Sequence, residues 1–131
     1  MYVYLNLNPH GKKTGDCVIR ATALALDIDW YQASDMLYEQ ARNCGCEMSC
    51  LGCYSKLFDR LGFVKIDVSR EQNTVQDIAS KYANKVVIIR TRGHLTCSID
   101  GKIHDIWNCA NEIAYCYWIV GNCNLRAKKT I

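Results

Sequence analysis

The chain has 131 residues, a formal charge of +3, one proline and nine cysteines. That length suits one domain and leaves no room for a second independent core. Half the residues are hydrophobic and 22% are charged, which is a globular composition and not a disordered one. The basic residues are too few and too scattered for a nucleic-acid binder. No window approaches the ~18 apolar residues of a membrane span. The N-terminus lacks the charged leader and apolar run of a signal peptide. The expected setting is therefore the cytoplasm, where disulfides are rare. The cysteines then read as thiols first, metal ligands second and disulfides third. An odd count also leaves one thiol unpaired in any monomeric disulfide scheme.

In chain order, Tyr2 to Leu7 alternates apolar and polar residues and predicts a strand. Pro9 to Gly15 is a polar, glycine-containing loop. Asp16 then stands where an N-cap belongs. The run Cys17 to Leu26 is apolar nearly all round, which predicts a buried central helix. Asp29 caps a second helix from Trp30 to about Asn43. Cys44 to Cys53 is a cysteine-rich connection. Ser49 is the expected cap of a third helix carrying Leu51, Tyr54, Leu57, Phe58 and Leu61, with Gly62 as its stop. Phe63 to Val68 reads as a strand, and Thr74 to Tyr82 as a short helix capped by Thr74.

The second half is richer in strands. Lys85 to Arg90 is a buried one. His94 to Ile99 and Lys102 to Trp107 flank Asp100-Gly101, a two-residue hairpin signal. Ile113 to Val120 is a further strand, and residues 124–131 form a basic tail expected to fray. Helices in the first half and an antiparallel sheet in the second give an α+β class.

One thiol has a chemical argument behind it. Cys17 falls at the first turn of the central helix, where partial positive charge and open N–H groups favour a thiolate and an oxyanion. His94 is the matching base. The Asp-Gly turn pairs Ile99 with Lys102, so paired positions sum to 201 and Thr96 faces Asp105. Alternation then puts His94, Thr96, Asp105 and Trp107 on one face, with Asp105 the diagonal neighbour of His94. Asp105 can orient the imidazole for Cys17, the arrangement of nucleophilic thiol catalysis. A one-residue slip would turn Asp105 to the other face, leaving Asn108 as the backup orienter. Trp107 is placed to cover His94. Arg90, Arg92, Lys12 and Lys13 are candidates for a basic rim.

Four more thiols, Cys44, Cys46, Cys50 and Cys53, fall within ten residues. They have the number and chemistry for a tetrahedral zinc site, but structural zinc usually draws pairs from two separated knuckles. An iron–sulfur cluster meets the same objection. Cys97, Cys109, Cys116 and Cys123 read as core thiols.

The order of a cysteine at a helix start, a histidine on a strand and an aspartate on the next strand resembles the papain-like cysteine peptidase superfamily. The compact form found in bacteriocin-leader peptidases is the nearest in kind. The segments Asn8-Pro9, Lys12 to Ala21, Gly93-His94-Leu95-Thr96 and Gly101 to Asn108 are similar to those of a small group of phage and prophage proteins. The resemblance runs from about Tyr2 to Trp118. It implies a papain-like fold with Cys17, His94 and Asp105 as nucleophile, base and orienter. It also implies a small thiol hydrolase acting on a protein or peptide, encoded by a phage or prophage and working in the host cytoplasm. No cofactor, nucleic acid or membrane is expected, zinc on the cysteine cluster being the one metal candidate. The papain pattern carries a glutamine about six residues before the cysteine, where this chain has Gly11. Asn8 and Thr14 are the side chains expected to take its place at the oxyanion. The contrasting reading is a non-catalytic binding protein on the same fold that inhibits a host defence or regulatory protein.

Overall fold

A computed structural model of the chain describes residues 1–13, 15–68 and 73–123. The order of elements is β1 (Tyr2–Tyr4), α1 (Cys17–Leu26), α2 (Trp30–Cys44), α3 (Leu51–Arg60), β2 (Val64–Asp67), α4 (Val75–Lys81), β3 (Lys85–Thr91), β4 (His94–Ile99), β5 (Lys102–Asp105) and β6 (Cys116–Asn122). The six strands form one sheet in the order β1-β5-β4-β3-β6-β2. The class is mixed α+β. Among the described residues no helix is long and apolar enough to cross a membrane. The expected basic tail, 124–131, lies outside the described residues.

The sheet is buried on both faces. Val86 and Ile88 of β3, Leu95 and Cys97 of β4 and Trp118 of β6 join the cluster under α1, α2 and α3. Their alternating neighbours Val87, Ile89 and Tyr117, with Ile103 of β5, join the cluster under α4. Central strands covered on both sides lose the polar half of the alternation, hence the unbroken Val86 to Ile89 run. Phe58 and Tyr54 each meet Trp118 edge to face and each other at a tilt, filling the wider core with ring centroids 5.3–5.8 Å apart.

Local signals set several boundaries as expected. Asp29 caps α2 in a full capping box with Gln32, and Thr74 does the same for α4 with Asp77. The hairpin keeps its predicted register, with Ile99 opposite Lys102 and Ser98 opposite Ile103. Asp100 and Gly101 both take positive φ, 54° and 75°, as this turn type requires.

Five expectations need correction. The strand expected over Ile113 to Val120 spans Cys116–Asn122, with Ile113 in an isolated bridge to Thr74. The sheet is not wholly antiparallel: β1 runs parallel to β5, pairing Tyr4 with Asp105. That direction depends on a connection through all the helices, which no local pattern records. β1 also stops at Tyr4; the Leu5 N–H still donates to the Asp105 carbonyl, and the Leu5 and Leu7 side chains pack against the helical core. α3 begins after Cys50 and not Ser49, because Cys50 accepts the first helical N–H bonds, from Cys53 and Tyr54. Finally, β5 ends at Asp105 and not Trp107. The Asp105 carboxylate accepts from the Ile106 N–H at 2.7 Å, and that local bond removes a ladder donor.

Candidate active site

The site forms where the start of α1 meets the start of β4. α1 is apolar enough to lie against β4 and β3, and its first residue is Cys17, half-buried. Gly93, at φ 68°, turns the chain from β3 into β4 and puts His94 first on that strand. The Cys17 sulfur lies beside His94 and the Leu95 backbone, close enough for both to bias its titration, and all three residues line one cavity. On its far side His94 Nε2 lies 2.7 Å from Asp105 Oδ2. Nδ1 is thus the ring nitrogen left for the sulfur. Trp107 packs on the imidazole with ring centroids 5.0 Å apart.

Asp105 is 3% exposed, so its charge has to be matched inside the protein. Oδ1 accepts from Arg20 Nη1 at 3.0 Å as well as from the Ile106 N–H. Oδ2 faces His94 and, at 3.7 Å, the buried thiol of Cys109. Arg20 comes from α1, one turn after Cys17, and its Nε also donates to Asp16 Oδ1 at 2.8 Å. Asp16 Oδ2 accepts from Asn8 Nδ2 and Trp30 Nε1, each at 2.9 Å. A connected buried network therefore runs from Asn8 through Asp16, Arg20 and Asp105 to His94.

The electrostatics follow from these contacts. Burial alone would push the Cys17 thiol up. The nearby His94 and the Leu95 backbone more than offset it, and the thiol titrates below its ordinary value. Burial likewise opposes charge on His94, yet its bonds to Asp105, Cys109 and Cys17 push it up to about 11. Asp105 resists burial through His94 first and is held at about 2. At neutral pH His94 and Asp105 are an imidazolium–carboxylate pair, and the thiol beside them is biased toward thiolate.

Asp16 occupies the N-cap position of α1, but its side chain makes no cap bond. Its oxygens are drawn instead to Asn8, Arg20 and Trp30. The first-turn N–H groups at Cys17 therefore receive no cap from Asp16, and the positive end of the helix stays directed at the sulfur.

The other nominated residues fall as follows. Asn8 is buried near α1, but its Nδ2 donates to Asp16 and its Oδ1 accepts from the His10 N–H, so this amide serves the network rather than an oxyanion. Thr14 lies outside the described residues. Asn108 is exposed and its Oδ1 takes the Ala110 N–H, so the orienting position is filled by Asp105. Burial, with Cys46 as the nearest of the neighbouring thiols acting on it, pushes Cys53 up to about 12. Cys44 accepts from Gln40 Nε2 at 2.9 Å. Among the described residues the four thiols of that run are not gathered at mutual ligating distances, whereas His94, Asp105 and Cys109 are. All nine thiols are free.

Sequence reasoning missed two residues of the site, Arg20 and Cys109. A lone arginine in a helix otherwise apolar all round was itself the signal, since a buried guanidinium demands carboxylate partners. Asp16, four residues earlier, was the nearer of the two. Cys109 gave no local signal that separates it from a core thiol.

Two adjoining cavities lie near the start of α1, and the first is lined by Cys17 itself. One of about 170 Å³ is lined by Cys17, His94, Tyr54, Arg90 and Leu51. Another of about 380 Å³ lies between α1, α2 and the cysteine-rich connection and includes Tyr38, Ala41 and Met48. They adjoin at Val18 and Ser49. Of the proposed basic rim, Arg90 lines the first cavity; Lys12, Lys13 and Arg92 line neither. No protein-family model matches the chain, and searches of curated proteins and of solved structures return no match either.

Proposed function

We propose that the chain is a small papain-like thiol hydrolase that opens a peptide, isopeptide or side-chain amide bond. The observation that carries this reading is that Cys17, at a helix start, shares a cavity with an imidazole whose Nε2 is held by a buried carboxylate. In the reaction the Cys17 thiolate attacks the amide carbon and the carbonyl π pair moves to oxygen. The oxyanion is received by backbone N–H groups at the start of α1, since the Asn8 amide is engaged elsewhere. Imidazolium His94 gives its Nδ1 proton to the leaving nitrogen, and the C–N bond breaks. Water, deprotonated by His94, then attacks the thioester and the Cys17 sulfur leaves. Asp105 keeps the ring oriented and stabilises its charge throughout. The cavity lined by Cys17, with the one adjoining it along α1, gives an extended chain room beside the sulfur. A phage or prophage origin belongs to the same proposal and rests on the segment resemblance alone.

The test is modification by iodoacetamide at pH 6, mapped by mass spectrometry. Cys17 is expected to react much faster than the exposed Cys50, and the advantage to vanish in His94→Ala. Equal rates at the two thiols would remove the hydrolase reading and leave a binding protein on this fold.

A further inference from the structure

His94 has two thiols beside it: Cys17 at the start of α1, and Cys109, which approaches Asp105 Oδ2 to 3.7 Å. The hydrolytic chemistry uses only the first. We propose that His94 Nε2, Asp105 Oδ2 and Cys109 Sγ form a zinc site, and that the ion blocks the proton shuttle of His94.

The geometry is close to that of a bound ion. The three donor atoms lie within 4.8 Å of one another. Zinc bonds of ~2.0 Å to nitrogen and oxygen and ~2.3 Å to sulfur place tetrahedral ligands about 3.3–3.5 Å apart. The present separations of 2.7 Å for His94 to Asp105 and 3.7 Å for Asp105 to Cys109 bracket that range. Small rotations open the first and close the second. Imidazole, carboxylate and thiolate together are a donor set zinc accepts, with water in the fourth position. The carboxylate is also braced from behind. Arg20 and the Ile106 N–H hold Oδ1, which leaves Oδ2 directed at the other two donors.

Binding forms one Zn–N, one Zn–O and one Zn–S bond. It releases the Nε2 proton and the Cys109 thiol proton to solvent, with no change of oxidation state. The imidazole then keeps its single proton on Nδ1 and cannot carry a second. The consequence for hydrolysis rests on the function proposed above. The metal site itself does not, because Cys17 is not a ligand.

The experiment titrates the Cys17→Ser protein with Co²⁺ as the spectroscopic stand-in for zinc, against Cys17→Ser/Cys109→Ser. Thiols of the 44–53 run contribute equally to both and cancel in the difference. The Cys17→Ser protein is expected to take up one further equivalent, with a thiolate-to-cobalt charge-transfer band and tetrahedral d–d bands. Equal uptake by the two proteins overturns the site. If near-UV circular dichroism shows that Cys109→Ser disrupts the fold, Cys17→Ser/His94→Gln must lose the same equivalent, and its retention overturns the site as well. Uptake is read without substrate and without the nucleophile, so failure of the hydrolase reading and failure of this one give different results.

Discussion

Arg20 and Asp105 are 85 residues apart in sequence and 3.0 Å apart in the fold, both nearly out of solvent. The contact ties the helix that carries Cys17 to the strand that ends at the orienting carboxylate. Arg20 makes a second buried contact, to Asp16, and so sits between two carboxylates. Its guanidinium fork can serve both at once, which a lysine ammonium matches poorly.

Removing Arg20 leaves Asp16 and Asp105 buried with one compensating cation fewer. Breaking a buried pair from one side typically costs about 3–5 kcal/mol. Arg20→Ala is therefore expected to lower unfolding stability by that order in urea titrations, and Arg20→Lys by less. An Arg20→Ala protein as stable as the parent would show that the network does not hold the two layers together.

How much of this was legible in the sequence depends on the range of the cause. The boundaries of α1 and the register of the β4–β5 hairpin follow from neighbouring residues, and the Asp-Gly turn alone brought His94 and Asp105 within reach. The parallel pairing of β1 with β5 did not follow, because it joins segments a hundred residues apart. The role of Asp16 was misjudged for a related reason. Local statistics favour a cap, but Arg20 and Trp30 compete for the same oxygens once the helices pack. Asn8 failed as an oxyanion donor through the same competition.

The titration shifts predict an unusual pH profile of stability. A raised His94 stabilises the fold fully below the unfolded value of ~6.5, and this is lost as pH rises through about 11. The lowered Cys17 has the opposite sign: its contribution is present above ~8.5 and is lost as pH falls through the folded value. Above the folded Cys17 value and below about pH 8.5 the imidazolium–thiolate pair binds as many protons as the neutral pair does in the unfolded chain. The two contributions cancel in that overlap, and stability should be flat there. Cys17→Ser removes one term, so its stability should fall with rising pH at up to about 1.4 kcal/mol per unit. Denaturant midpoints at several pH values check this, and parallel profiles for the two proteins would contradict the ion pair.

At the acid end Asp105 governs. Its folded value of about 2 lies below the unfolded ~3.9, so its contribution is present above pH 4 and is lost as pH falls through 2. Asp105→Asn should flatten the part of the acid limb between pH 4 and 2, leaving the remaining slope to Asp16, which is lowered in the same direction. An unchanged limb in Asp105→Asn would place the acid sensitivity elsewhere.

Asn8 separates a structural amide from a catalytic one. Asn8→Ala removes a donor from buried Asp16 and a turn acceptor from the His10 N–H. Loss of a buried bond to a charged group is worth about 1.5–3 kcal/mol. Stability should drop by that order, while iodoacetamide modification of Cys17 at pH 6 stays within about twofold, because neither bond reaches the sulfur. The same holds for hydrolysis, if backbone N–H groups alone receive the oxyanion. A loss of turnover of ~10²-fold or more without a matching loss of stability would return Asn8 to the oxyanion hole.

The orienting role of Asp105 has its own signature. Asp105→Asn keeps an acceptor for His94 Nε2–H but removes the negative charge that favours imidazolium. The ring should titrate well below about 11, and with less positive charge beside it the Cys17 thiol should rise. The midpoint of alkylation rate against pH therefore moves upward, and the rate at pH 6 falls about tenfold or more. Because Arg20 also loses a partner, stability falls in the same variant, and a rate measured at one pH cannot separate the two effects. The midpoint can, since general loosening changes the amplitude of the profile and not the position of its titration. A midpoint that stays in place in a folded Asp105→Asn protein would mean that Asp105 is only an anchor for Arg20.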